Sequence, residues 1–274
     1  MLNRLKTLFR AEPTPALPPV PAARPSKVPM TFLKDMVMSG WMNKESSELM
    51  TGFPVGADDT LLDIGCGEGG YALFSARQGA AIILADVDAA KLDTARQRLE
   101  AQGAQRVQTL VTDADPILLP DNSVSRVVAM EVLEHVDDPR KFVAELARVA
   151  QPGAKLLLTV PDEMNEGIQK QIAPPAYFEK PNHVRIFKRG ELKQLALDTG
   201  LIIEHETQYG FYHAVWWSFF WACENQELSP PWDPLLEQWA ITWATLLSMP
   251  DGMRIKQALD ATLPKSQVIV ARKP

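Results

Sequence analysis

Residues 61–70 read Leu-Leu-Asp-Ile-Gly-Cys-Gly-Glu-Gly-Gly, and this stretch decides the fold of the chain. Its apolar first half is typical of a buried strand, and the glycines that follow allow a sharp turn into a helix. Gly65, Gly67 and Gly70 match the spacing G-x-G-x-x-G, in which bare backbone lies against a ligand. Asp63 precedes the first glycine by two residues, where a carboxylate repels a pyrophosphate and attracts a cationic ligand.

Strands and helices alternate along the chain around this loop. Strands are predicted at residues 60–65, 80–86, 107–113, 124–130, 155–160, 201–207 and 266–272. Helices are predicted between several of these strands, at residues 70–79, 89–102, 139–150 and 188–199. The alternation predicts a Rossmann-like, doubly wound α/β fold with a mainly parallel seven-stranded sheet. A helical, aromatic-rich insert is predicted before the last strand.

Carboxylates stand at the predicted carboxyl ends of these strands, which is where ligands bind in doubly wound sheets. The second strand ends at Asp86, 21 residues after Gly65, where a carboxylate can accept hydrogen bonds from a ribose diol. The third strand ends at Asp113, in a position to contact an adenine amino group. Together with Asp63, these residues predict a ligand with a ribose, a base and a positive charge.

The motifs resemble those of the class I S-adenosylmethionine-dependent methyltransferases from about residue 61 to residue 207. The carrying segments are LLDIGCGEGG at 61–70, LADVD around Asp86 and VTDAD around Asp113. Two later segments, MEVLEHVDDP at 130–139 and NHVRIFKRGEL at 182–192, resemble the small-molecule branch that modifies sugars and ubiquinone-type or menaquinone-type rings. The resemblance implies S-adenosyl-L-methionine as cofactor.

Carried over residue by residue, the resemblance also implies a set of cofactor-binding residues. Those around the methionine part would be Asp63, Gly65, Cys66, Gly67 and Glu131. Those around the nucleoside would be Asp86 at the ribose, Val87 packed on adenine, and Asp113 with Ala114 flanking the base.

Two histidines are candidate catalytic bases, because a hydroxyl acceptor must lose a proton when it is methylated. His135 lies just after the fourth strand and His183 in the loop after the fifth. For each, the alternative is a structural role in which the histidine holds its loop in place.

Asp162, directly after the fifth strand, is a candidate substrate contact. No group of His, Asp and Glu has metal-ligand spacing along the sequence, so no metal site is predicted.

Composition limits the compartment and the partners. The chain has 274 residues, with 28 basic and 34 acidic side chains, which excludes a broadly basic nucleic-acid binder. Its two cysteines, Cys66 and Cys223, form no disulfide framework and indicate a reducing compartment. No apolar run reaches the roughly 20 residues of a membrane helix, so a cytoplasmic protein is predicted.

Four segments are predicted along the chain. Residues 1–29 are a basic start followed by a proline-rich linker, residues 30–208 a cap and methyltransferase core, residues 209–265 a helical substrate-binding insert, and residues 266–274 the final strand. Within the start, residues 1–10 place leucines on one helical face and basic residues away from it. This pattern predicts peripheral contact with an anionic inner membrane face; the alternative is a frayed terminus.

The insert at 209–265 holds six of the seven tryptophans. One interpretation is a helical subdomain whose aromatic side chains form its own core. The other is an acceptor pocket, since aromatic faces suit sugars, quinone rings and lipid tails. A homodimer contact through residues 214–223 is a further candidate.

The predicted function is O-methylation of a sugar hydroxyl on a cell-surface glycan of the O-antigen or lipopolysaccharide type, or on its precursor. Alternatives are methylation of a quinone, a lipid or another small metabolite. Two rivals from other classes are a non-catalytic cofactor-binding partner and a nicotinamide-dependent oxidoreductase. Asp63 argues against the oxidoreductase, because its carboxylate lies where a pyrophosphate would have to bind.

Overall fold

The computed structural model describes residues 26–274. The prediction for residues 1–10 therefore lies outside the described residues, as does most of the linker prediction. Seven strands form the main sheet, and their bounds are β4 Thr60–Ile64, β5 Ala81–Asp86, β6 Val107–Val111, β7 Val124–Met130, β8 Ala150–Pro161, β9 Ile202–Tyr209 and β10 Ser266–Arg272. Three shorter strands precede them and form a separate sheet: β1 Trp41–Asn43, β2 Glu48–Met50 and β3 Phe53–Pro54.

The strand order of the main sheet is β6-β5-β4-β7-β8-β10-β9. The four pairings from β6 to β8 are parallel, and β10 runs antiparallel between β8 and β9. This arrangement confirms the predicted Rossmann-like, mainly parallel seven-stranded sheet. The order reverses between β4 and β7, so the loops after these two strands open onto the crevice where doubly wound folds bind ligands.

Nine helices are described in residues 26–274. Their bounds are α1 Val28–Met38, α2 Ala72–Arg77, α3 Ala89–Ala101, α4 Pro139–Val149, α5 Glu163–Ile172, α6 Glu191–Asp198, α7 Phe211–Phe220, α8 Pro234–Leu246 and α9 Gly252–Thr262. Helices α2 and α3 contribute to the apolar core on one face of the sheet, and α4 and α6 to the core on the other. None of the helices in this part of the chain is long and apolar enough to cross a bilayer.

Helix α5 and the small sheet β1–β3 are elements that the sequence patterns do not predict. The buried side chains of α5 are Asn165, Glu166 and Gln169, so this helix lacks the apolar period by which amphipathic helices are identified. The strands of the small sheet are two or three residues long, too short to show an alternating pattern. Helix α5 matters for function, because it borders the site described below.

Helices α7, α8 and α9 lie between β9 and β10 and pack with α1 around a third apolar core. A buried ionic cluster ties these helices together. Lys256 of α9 is 1% exposed and lies 3.2 Å from an Asp35 carboxylate oxygen of α1 and 2.6 Å from one of Asp260. Asp260 also accepts backbone N–H bonds at the start of α7, and Trp243 of α8 donates its indole N–H to Asp35.

Replacing Lys256 by methionine should destabilise the protein by about 3–5 kcal/mol, because it leaves two buried carboxylates without a countercharge. Urea denaturation at neutral pH measures the loss. Lys91→Met, at an exposed position of α3, is the matched control and should change the free energy of unfolding little. A loss of less than about 1 kcal/mol in Lys256→Met would contradict the importance given to this cluster.

Candidate active site

The glycine loop after β4 is shaped by two different constraints. Gly65 has φ +68° and lies so close to Val132 that a Cβ atom would collide with the valine side chain. The backbone N–H groups of Gly65 and Cys66 both donate to the carbonyl of Ala85, at 2.8 and 3.1 Å, which joins the loop to β5. At Gly67, with φ +51°, nothing lies within 4 Å of the Cβ position, so the backbone is open to a ligand.

Two carboxylates lie beneath this open backbone. Asp86 accepts the N–H of Gly67 and the N–H of Asp88, each at 3.0 Å, and so holds the loop against the end of β5. Asp63 is 4% exposed, and burial, followed by the nearby charge of Asp86, raises its pKa to about 7. Within residues 26–274 neither carboxylate forms an ion pair. A bound cation would relieve this repulsion.

The predicted nucleoside-binding residues lie at the ends of β5 and β6. Val87 is 69% exposed, an unusual position for a large aliphatic side chain and one that suits packing on a flat ring. Asp113 is exposed beyond β6. The methyl group of Ala114 is buried in the apolar core, so this residue can offer a ligand only its backbone.

Cys66 lies in the same loop and acts as a packing residue. Its thiol pKa is raised by burial and by the nearby charges of Asp63 and Asp86. A thiol held in its neutral form is a poor nucleophile.

Glu131 directly follows β7 and has a left-handed backbone with φ +54°. Its carboxylate accepts the hydroxyl hydrogen bond of Thr159 at 2.9 Å and forms an ion pair with Lys265. The backbone N–H of Glu131 is bonded to Thr159 as well, so the strained residue is held by β8. Sequence reasoning missed Thr159 and Lys265, because neither stands in a motif.

His135 and His183, predicted separately, lie together at this edge of the sheet. Their ring centroids are 5.0 Å apart and their rings are nearly perpendicular. Nδ1 of His135 lies 3.1 Å from the Pro181 carbonyl oxygen, and Nδ1 of His183 lies 2.8 Å from Oε2 of Glu166 on α5. Burial, and then the proximity of His183, lowers the pKa of His135, which favours a neutral imidazole.

Glu134 is the least expected member of this group. Its side chain is fully buried between Glu131 and the two histidines, and among the described residues neither of its carboxylate oxygens has a hydrogen-bond partner. Burial, and then the charge of Glu131, raises its pKa well above the usual value. The segment Glu131-Val-Leu-Glu134-His135 was the available signal, but sequence alone did not show that Glu134 points inward.

Aromatic side chains stand next to the histidines. The ring centroids of Tyr177 and His183 are 4.3 Å apart. Those of Tyr177 and Trp221, a residue of the insert, are 5.6 Å apart. Trp221 also donates its indole N–H to Gln169 of α5. Other aromatic rings of the insert, such as Trp243, are buried in the third core, as the interpretation of a helical subdomain predicts, and the acceptor pocket stays a prediction.

Asp162 does not line this site. Its buried carboxylate caps α5 through the N–H of Met164 and forms two hydrogen bonds with Arg189. These partners give it a structural role in place of the predicted substrate contact.

The other two histidines lie elsewhere. His205 lies within β9, and His213 packs against Phe32 of α1 with ring centroids 4.1 Å apart.

Comparisons with known proteins agree with this geometry. Residues 62–158 match a family described as a methyltransferase domain. The methyltransferase GfsG of Streptomyces halstedii is 34% identical over 41% of this chain and 41% of its own length. Norajmaline N-methyltransferase of Rauvolfia serpentina is 31% identical, over 47% of this chain and 43% of its own. A ubiquinone biosynthesis O-methyltransferase of Thiobacillus denitrificans is 29% identical, over 55% and 68%.

The chain thus spans less than half of the length of the first two relatives and about two thirds of the third.

Solved structures share the fold at lower sequence identity. Geranyl diphosphate methyltransferase has a TM-score of 0.56 at 17% identity, covering 89% of this chain and 85% of its own. The cyclase SpnF also has a TM-score of 0.56, at 20% identity and with coverage of 91% and 97%.

S-adenosylmethionine presents a sulfonium cation, a ribose diol and an adenine ring, and the site has a group suited to each. Asp63 supplies a buried carboxylate without an ion partner among the described residues, Asp86 retains lone pairs for the ribose hydroxyls, and Val87 offers an exposed apolar surface. The residues therefore fit this cofactor. Residues 62–158 thus match a methyltransferase domain, and the chain is similar to class I S-adenosylmethionine-dependent methyltransferases.

Proposed function

We propose that this protein transfers the methyl group of S-adenosylmethionine to a hydroxyl oxygen of a small acceptor. The observation that carries the proposal is the paired histidines beside Glu131, one of them backed by Glu166 at 2.8 Å. An oxygen acceptor must lose a proton, whereas an amine acceptor need not have a base in reach. A carboxylate that fixes the orientation of a histidine is the arrangement by which proteins prepare an imidazole to take a proton.

When bound, the cofactor supplies an activated methyl group on its sulfonium, and the protein contributes alignment and electrostatics. The glycine loop and Asp86 hold the nucleoside, while Asp63 and Glu131 place negative charge near the methionine end. His183, with Nδ1 turned to Glu166, leaves Nε2 to interact with the acceptor. The buried face of helix α5 thereby positions the group that handles the acceptor proton.

A sugar hydroxyl on a cell-surface glycan, or on its lipid-linked precursor, is the acceptor we propose. The support is the ring of Tyr177, which lies beside His183, together with Trp221, which packs on Tyr177, since aromatic rings suit the apolar face of a sugar. A quinone ring would stack on the same surface, and a relative whose name includes ubiquinone biosynthesis favours that second candidate. A cofactor-binding protein without methyl transfer is the remaining alternative.

Replacing Asp86 by alanine should weaken binding of S-adenosylmethionine by about 1–3 kcal/mol, the cost of losing hydrogen bonds to a charged group. The variant also loses the bond that holds Gly67, so the effect on the loop adds to the direct one. Isothermal titration calorimetry measures the affinity. Asp93→Ala, which removes an exposed carboxylate of α3, is the control. Unchanged affinity in Asp86→Ala would refute the assignment of the ribose site.

Replacing His135 or His183 by alanine should lower turnover about 100-fold or more in at least one of the two variants, with cofactor affinity retained. The assay measures radiolabelled methyl transfer to a panel of monosaccharide glycosides, polyprenyl-linked sugars, catechols and amines. His205→Ala, a half-buried histidine of β9, is the matched control. Transfer to amines alone, or wild-type turnover in the double variant, would contradict an oxygen acceptor activated at these histidines.

Peripheral membrane contact is a separate proposal that rests on the charge pattern of residues 1–10 alone. Deleting residues 1–25 should abolish flotation with anionic liposomes at low salt and leave turnover of a water-soluble acceptor unchanged. Zwitterionic liposomes are the control. Intact protein that fails to float with anionic liposomes would refute the contact.

A further inference from the structure

We propose that Glu134, His135 and His183 bind a divalent transition-metal ion on the acceptor side of the site. Each residue offers one ligand atom, and these atoms lie within 4.8 Å of one another. The sequence did not predict this group, because α4, β8 and α5 lie between residues 134 and 183. The fold brings them together where the loops after β7 and β8 meet.

The Glu134 carboxylate is the first observation that points to a ligand. It is 0% exposed, and no residue from 26 to 274 donates a hydrogen bond to either oxygen. A buried carboxylate without a hydrogen-bond partner is costly, and a protein relieves that cost by protonating the group or by binding a cation. Oε1 lies 3.8 Å from Nε2 of His135, which is too long for a hydrogen bond. It is close to the ~3.4 Å that separates two ligands on a tetrahedral ion with bonds of ~2.1 Å.

The orientation of the two histidines is the second observation. A metal-ligating histidine commonly donates its other ring N–H to a carbonyl or a carboxylate. Nδ1 of His135 meets the Pro181 carbonyl oxygen, and Nδ1 of His183 meets the Glu166 carboxylate. Both Nε2 atoms are thus left for an ion. Glu166, itself 1% exposed, is a positioning residue for His183.

The lysine near this cluster pairs directly with a different carboxylate. Lys265 forms its ion pair with Glu131 and leaves both Glu134 oxygens without a hydrogen bond. The Glu134 carboxylate therefore remains available to a cation, although Lys265 lies nearby.

Two imidazole nitrogens and one carboxylate oxygen suit ions such as Zn²⁺, Mn²⁺, Fe²⁺ and Co²⁺ better than Mg²⁺ or Ca²⁺, which prefer oxygen ligands. Three protein ligands leave coordination positions open, as in catalytic zinc sites. In a role that rests on the proposed function, an acceptor hydroxyl would bind there and lose its proton to water more readily. Its oxygen would then form the new C–O bond as the methyl C–S bond breaks and the neutral thioether leaves.

Titration of the chelator-treated, tag-free chain with Co²⁺ tests the site through its visible absorption, without cofactor or acceptor. One equivalent of Co²⁺ should bind and be displaced by Zn²⁺. Glu134→Gln and His183→Ala should each weaken binding more than about 10-fold, and Glu166→Gln about 10- to 100-fold with the spectrum retained. Glu224→Gln, at an exposed position, and His205→Ala should bind as the wild type does. Thermal melting checks that every variant is folded.

Absence of stoichiometric Co²⁺ binding would overturn the proposal, as would an affinity unchanged in folded Glu134→Gln and His183→Ala. The test separates this site from the proposed function. Protein that binds Co²⁺ through these residues but methylates no oxygen keeps the metal site and loses the function. Protein that methylates an oxygen but binds no metal loses the site, and a histidine then takes the proton directly.

Discussion

The close contact between Gly65 and Val132 is the constraint on which the rest of the site depends. It lies where the strand order reverses, with β4 and β7 paired in parallel from Leu61 to Ile64. Because no side chain fits at residue 65, the glycine loop and the segment that begins with Glu131 touch directly. This one contact therefore sets the distance between the carboxylates under the glycine loop and the histidine that follows Glu131.

Negative charge is concentrated along this edge of the sheet. Asp63 and Asp86 lie under the glycine loop, and Glu131, Glu134 and Glu166 follow toward the acceptor side. Lys265, whose pKa is raised despite burial because Glu131, Glu134 and Glu166 surround it, offsets part of that charge. An edge with this excess of negative charge favours positively charged ligands beside Asp63 and beside Glu134.

The residues that sequence can predict are those whose chemistry is expressed locally. The glycine spacing and the carboxylates at the ends of β4 and β5 stand within a few residues of a strand, so the sequence alone is enough to predict that Asp63, Gly67 and Asp86 lie together. Glu166 and Lys265 cannot be identified in this way. They reach the site from a helix with a polar buried face and from the residue before the last strand, and only the folded sheet brings them near Glu131.

The arrangement of the last strand also matters during synthesis. Strand β10 lies between β8 and β9 in the main sheet. Strand β9 therefore has no strand to pair with until Ser266–Arg272 has left the ribosome. The parallel half of the sheet, from β4 to β8, is complete more than 100 residues earlier along the chain. A nascent chain can therefore assemble the glycine loop while it is still being translated. Lys265 directly precedes the final strand, so the acidic edge can acquire its ammonium countercharge only near the end of synthesis.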